Sequence, residues 1–183
     1  MAQQVEYFVP TDNDNMQIIN SANWGFQGFT IGTAGSNITT GAYSVKVKGY
    51  IVSGAPGILT FSLRATSGDT PTGADLCSGT IDSSVFAANP GDWQEIVFTT
   101  GAGATISAST KYAIIYRMAD PGTWNMRERY LTSTYSGGNT GRSNDSGATW
   151  PDNYTNQDIE FEYWGTVGIN TSINIGDAWK TIF

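Results

Sequence analysis

Tyr43-Ser44-Val45-Lys46-Val47-Lys48-Gly49-Tyr50-Ile51 and, beyond a turn at Gly54-Ala55-Pro56-Gly57, Leu59-Thr60-Phe61-Ser62-Leu63-Arg64-Ala65 are the stretches on which the fold assignment rests. In the first, Tyr43, Val45, Val47 and Ile51 share one parity and Lys46 and Lys48 take the other. In the second, Leu59, Phe61, Leu63 and Ala65 alternate with Thr60, Ser62 and Arg64. Side chains along a strand point to opposite faces with period two, so each run is a strand with one buried face. The turn residues between them make the two runs expected antiparallel neighbours.

Working outward, similar runs occur at 6–9, 26–31, 93–99, 111–118, 127–133 and 158–167, separated by Gly, Pro, Asn and Asp clusters. About eight strands at this spacing predict an all-β fold, a two-sheet antiparallel sandwich that is jelly-roll-like. Only 14% of residues are charged and 22 are glycine, a composition that favours strands and turns over helices. The turn-rich segment 66–73 is expected to be a surface loop. One domain over 1–167 is expected, followed by a segment, 168–183, whose apolar residues come after the strand that should close the sandwich.

Nine basic side chains against sixteen acidic ones give a formal charge of -7, which repels phosphate backbones and anionic lipid. Nucleic acid is therefore not an expected partner, and the absence of any long apolar run gives no expectation of membrane insertion. Cys77 is the single cysteine, so packing and hydrogen bonds must hold the fold without an internal disulfide. Met1-Ala2-Gln3-Gln4-Val5-Glu6 does not read as a signal peptide, and synthesis in a cytoplasm followed by release in a particle is the expectation.

The lack of histidine removes the usual triads, His metal sites and the commonest neutral-pH general base. Glu160 and Glu162 lie two apart and would share a strand face as a glycosidase pair might, but two solvated acids on a sheet surface are the preferred account. Gly137-Gly138-Asn139-Thr140-Gly141-Arg142-Ser143 lacks the spacing and the lysine of a phosphate loop. Asp12-Asn13-Asp14-Asn15 starts like a calcium loop and then fails at Met16 and Gln17, while Asp145, Asp152 and Asp158 fit plain turns better than a calcium site. Neither catalytic residues, nor a metal, nor a cofactor is expected.

Ser143-Asn144-Asp145-Ser146-Gly147-Ala148-Thr149-Trp150 resembles the Asp-box, S-x-D-x-G-x-T-W, a hairpin stabiliser of sialidase propellers and other β proteins. The resemblance implies that Ser143 and Asp145 organise the turn, that Asp145 accepts backbone hydrogen bonds, that Gly147 supplies a permissive backbone angle, and that Trp150 plugs the hairpin base. Trp124, Tyr130, Tyr135, Trp150 and Tyr154 lie in or beside polar loops, where aromatic faces suit sugar rings, although closing the sandwich ends is the commoner use of such rings.

Pro71-Thr72-Gly73-Ala74-Asp75-Leu76, the Trp93-led strand, Tyr112-Ala113-Ile114 and Asp158-Ile159-Glu160-Phe161 together resemble β-sandwich modules of tailed-phage structural proteins and bacterial surface proteins, over about residues 26–166. Ile173-Asn174-Ile175-Gly176-Asp177-Ala178-Trp179-Lys180 resembles an I-G-D-x-W-K segment of tailed-phage structural proteins. These resemblances imply a non-enzymatic virion protein of the capsid-decoration or head-fibre type, homo-oligomeric and bound to other capsid or tail proteins. Ile173, Ile175, Trp179 and Ile182 are the expected assembly contacts. The alternative is a tail-fibre, receptor-binding or carbohydrate-binding module that recognises host-surface glycans.

Overall fold

The computed structural model describes residues 1–10, 15–54, 57–119, 122–130 and 135–168, and at 15–18 and 125–130 the backbone alone. The described residues form fourteen strands: β1 (Ala2–Phe8), β2 (Asn15–Ile19), β3 (Trp24–Thr30), β4 (Thr40–Gly54), β5 (Ile58–Ser67), β6 (Thr70–Asp82), β7 (Asp92–Val97), β8 (Thr105–Ile106), β9 (Lys111–Met118), β10 (Gly122–Tyr130), β11 (Thr140–Ser143), β12 (Asp152–Tyr154), β13 (Gln157–Ile159) and β14 (Phe161–Thr166). They form an all-β, two-sheet antiparallel sandwich. One sheet has the order β1-β14-β4-β10-β13, with β2 added on β10 and β7 and β8 on β4; the other has the order β12-β11-β3-β9-β5-β6.

Three local expectations are corrected. β4 and β5 are not neighbours, because β4 pairs with β14, β10, β7 and β8 in one sheet while β5 pairs with β6 and β9 in the other. Both runs alternate, but their apolar faces meet across the core instead of lying side by side. Tyr43 is 37% exposed whereas Val45 and Val47 are buried. The register between β14 and β4 passes from Trp164↔Ser44 to Gly165↔Ala42, so Tyr43 is the extra residue of a bulge and the parity slips there. Segment 66–73 is not a loop but a hairpin, in which β5 runs to Ser67 and β6 starts at Thr70.

The core is assembled from the inward faces of both sheets. Val45, Val47, Ile96, Trp124, Phe161 and Tyr163 on one side meet Phe29, Leu59, Phe61, Leu63, Ile114 and Tyr116 on the other. Aromatic rings join the layers: Phe29 lies 5.8 Å from Phe161 and 5.4 Å from Tyr163, and Phe61 meets Trp124 edge-on at 5.8 Å.

Glu160, between β13 and β14, is 1% exposed and lies 3.9 Å from Lys48. Glu162 is half-buried, 3.8 Å from Lys46, and accepts a hydrogen bond from Trp164 Nε1 at 2.8 Å. The expectation of a solvated acid pair is thus corrected: Glu162 lies on β14, flanked by β1 and β4, and Glu160, just before that strand, is buried beside Lys48 of β4.

Candidate functional site

Phe29 and Ile31 point into the main core, so Trp24 and Phe26, at the opposite parity of β3, face outward from the six-stranded sheet. On β9 the outward residues are Ala113, Ile115 and Arg117, and on β5 they are Thr60, Ser62 and Arg64. Phe26, Ala113 and Ile115 form a second, small apolar cluster against which Trp24 and Trp150 pack.

The β11–β12 hairpin covers this cluster, and its turn is fixed by its own side chains. Asp145 Oδ1 accepts from Thr149 N at 2.8 Å and from Ser143 Oγ at 2.7 Å, while Asp145 Oδ2 accepts from Thr149 Oγ1 at 2.6 Å. Ser143 Oγ accepts in turn from Gly147 N at 2.8 Å. The Thr149 hydroxyl and N–H, with Ser143, hold the Asp145 carboxyl down at about 2. Gly147 adopts φ 83°, and a Cβ there would stand 2.5 Å from Trp24 Cε3, so this position requires glycine twice over. Trp150 meets Phe26 edge-on at 5.2 Å.

Beside the turn lies a cleft of about 290 Å³ lined by Ser21, Trp24, Thr60, Arg117, Met118 and Ser146. Arg117 is its electrostatic centre. The guanidinium stacks over Trp24 with its carbon 4.8 Å from the ring centroid, Nη1 donates to Ser62 Oγ at 2.8 Å, and Nη2 donates to Asp75 at 2.6 Å. Arg64 Nε donates to the same carboxylate at 2.7 Å. Burial alone would raise the Asp75 carboxyl, but the two arginines outweigh it and hold it below its ordinary value. The loop between β2 and β3 is shaped by Asn20 Oδ1, which accepts from Ala22 N at 3.1 Å and Asn23 N at 2.9 Å, and Ser146 N donates to Ala22 O at 3.3 Å to tie hairpin and loop together.

Of the aromatic residues singled out in the sequence, Trp150 and Tyr154 are half-buried on or beside this hairpin, with Tyr154 Oη accepting from Arg142 Nη2 at 3.1 Å. Trp124 and Tyr135 are corrected as sugar platforms. Trp124 is 1% exposed, its ring is packed between Phe61 and Phe86, and its Nε1 has no hydrogen-bond partner among the described residues. Tyr135 is 5% exposed, lies edge-on to Phe161 at 5.3 Å, and exchanges hydrogen bonds with the Thr30 backbone. Tyr130 pairs with Gln157 through the backbone, and its side chain lies outside the described residues, as do Ile173, Ile175, Trp179 and Ile182. Asp12, Asn13 and Asp14 lie outside them too.

The acidic turn residues are each taken up locally. Asp145 serves the hairpin, Asp152 lies 3.3 Å from Arg142 Nη2, and Asp158 is buried with Gln27 and the Tyr135 N–H as donors. Among the described residues no group of three or more carboxylates or thiols converges to hold a metal ion. The glycine stretch has a packing reason: a Cβ on Gly138 would come within 2.3 Å of Gly28 O, and Gly28 N donates to Asn139 O at 2.7 Å.

The pairing of Trp24 with Arg117 escaped the sequence. Trp24 precedes the run assigned as a strand, and Arg117 is next to last in another, so only the outward parity of both on their strands could have pointed to them. The fold and this cleft define the class of protein, a two-sheet β-sandwich module with a donor-lined surface cleft. No family model matches the chain, and no curated protein matches it in sequence.

Proposed function

We propose that the chain is a non-enzymatic structural protein of a bacteriophage particle, of the capsid-decoration or head-fibre kind, held to other virion proteins through residues 168–183. The observation that carries this proposal is the place where the sandwich ends. β14 lies between β1 and β4, Thr166 stands opposite both Ala2 and Gly41, and the strand ends there, after a core that among the described residues is drawn from Val5 through Tyr163. Ile173, Ile175, Trp179 and Ile182 then follow a core that is already two-sided, which suits them to a neighbouring subunit. Apolar burial contributes about 25 cal/mol per Å², so a few such side chains can supply several kcal/mol before ordering costs. Repeated copies on a lattice add avidity, and a homo-oligomer fits the same logic.

Attachment is then the whole mechanism, with no chemical step. In the test, the protein is mixed with purified heads lacking it and sedimented, with and without residues 168–183. Loss of co-sedimentation on deletion supports the anchor, and undiminished binding refutes it. A second reading, recognition of a host-surface glycan by a tail-fibre or receptor-binding module, is favoured by one observation, the cleft at Trp24 and Arg117 with Trp150 and Tyr154 on the adjoining hairpin.

A further inference from the structure

We propose that the cleft beside Trp24 binds a sugar residue carrying a carboxylate, of the uronic or sialic acid type, with Arg117 anchoring the carboxylate. The proposal rests on glycan recognition, the second reading above, and is independent of attachment to a particle.

The cleft is lined by hydrogen-bond donors. A guanidinium carries five N–H donors, and Arg117 spends two, on Ser62 and Asp75. Its remaining N–H groups and the hydroxyls of Ser21, Thr60 and Ser146 belong to the same open cleft, where Ser21 and Ser146 are exposed to solvent. Solvent-facing donors grouped in this way suit an acceptor-rich ligand, which can take the place of their water.

Charge narrows the class. Arg64 and Arg117 share the single carboxylate of Asp75, so the trio carries one net positive charge on a chain whose overall charge is -7. Trp24 covers one face of the Arg117 guanidinium, which leaves its in-plane N–H groups as the route of approach, and a carboxylate is the planar group that accepts such donors side by side. A volume of about 290 Å³ is room for one pyranose ring. Met118 gives the ring an apolar wall, and the three hydroxyls suit its own hydroxyls. The cleft is also set before binding, since the hairpin is fixed by Asp145 and tied to Ala22 through Ser146 N.

The test titrates the full chain, by calorimetry and saturation-transfer NMR, with methyl glucuronide, methyl N-acetylneuraminate, methyl glucoside and sodium phosphate. At least one acidic sugar is expected to saturate with a Kd about tenfold or more below that of methyl glucoside, the discrimination of one charge-assisted contact. Arg117→Gln is expected to abolish this preference. Because Arg117 also ties Asp75 and Ser62, Thr60→Val and Ser21→Ala serve as variants that leave that network intact, and each should weaken the acidic sugar several-fold with unchanged thermal unfolding.

If methyl glucoside binds as well as the acidic sugars, and Thr60→Val weakens it, the carboxylate assignment is overturned while glycan recognition at this cleft stands. Saturation by none of the sugars overturns both. Phosphate that binds as tightly as the sugars and competes with them marks a general anion site and overturns the assignment to a sugar.

Discussion

Glu6 is buried in β1, yet its carboxylate accepts from the backbone N–H groups of Gly32, Thr33, Ala34 and Gly35, at 2.7, 3.0, 2.6 and 3.4 Å. One side chain thereby holds the turn after β3 against the edge of the other sheet, helped by Ser36 N donating to Val5 O at 2.8 Å. Glu6→Ala strands those donors in a dry site and is expected to cost about 3 kcal/mol or more, read as a lowered urea midpoint. Asp158 is the contrasting acid. It is 1% exposed, accepts from Gln27 Nε2 at 2.7 Å and Tyr135 N at 2.9 Å, and burial raises its carboxyl from 3.8 to about 7 against the pull of those bonds. A folded-state value above the unfolded one means that folding takes up a proton, so this group favours the fold most below about 3.8 and loses that contribution as pH rises through about 7. At roughly 1.4 kcal/mol per unit the change approaches about 4 kcal/mol. Stability measured at about pH 5 should exceed that at about pH 8, and Asp158→Asn should flatten the difference. A wild-type protein equally stable at both values sinks this account.

At the level of the element, the β11–β12 hairpin was legible in advance as an Asp-box-like turn because its contacts are local: Ser143, Asp145, Gly147 and Thr149 bond one another within a few residues. Gly147→Ala places a methyl group against Trp24 and forces φ 83° on a residue with a Cβ, an expected loss of about 1–3 kcal/mol, visible as a change in tryptophan emission and a lower melting temperature. Asp145→Ala should increase hydrogen exchange across 143–150 more than elsewhere. Its carboxyl is depressed to about 2, so the turn keeps this support above about pH 4 and loses it as pH falls towards 2. The bulge at Tyr43 shows the opposite case. Nothing in the alternation of β4 announces it, because the extra residue is set by pairing with β14 and not by β4 itself.

On the scale of the whole molecule, stability rests on rings that meet across the two layers, and Phe61→Ala is expected to cost about 3–5 kcal/mol by removing a ring that touches Trp124 and Tyr116. An all-β chain with alternating strands, no histidine chemistry and one self-organised hairpin was already present in the order of the residues, because side-chain parity and turn chemistry are properties of neighbours along the chain. Folding alone could assign β4 and β5 to different sheets, sink Trp124 and Tyr135 into the core, and bring Trp24 of β3 against Arg117 of β9 beneath the turn at Ser146. Those outcomes depend on which strands pair and which faces meet, and pairing joins residues far apart in sequence through backbone hydrogen bonds that leave no mark in the local alternation.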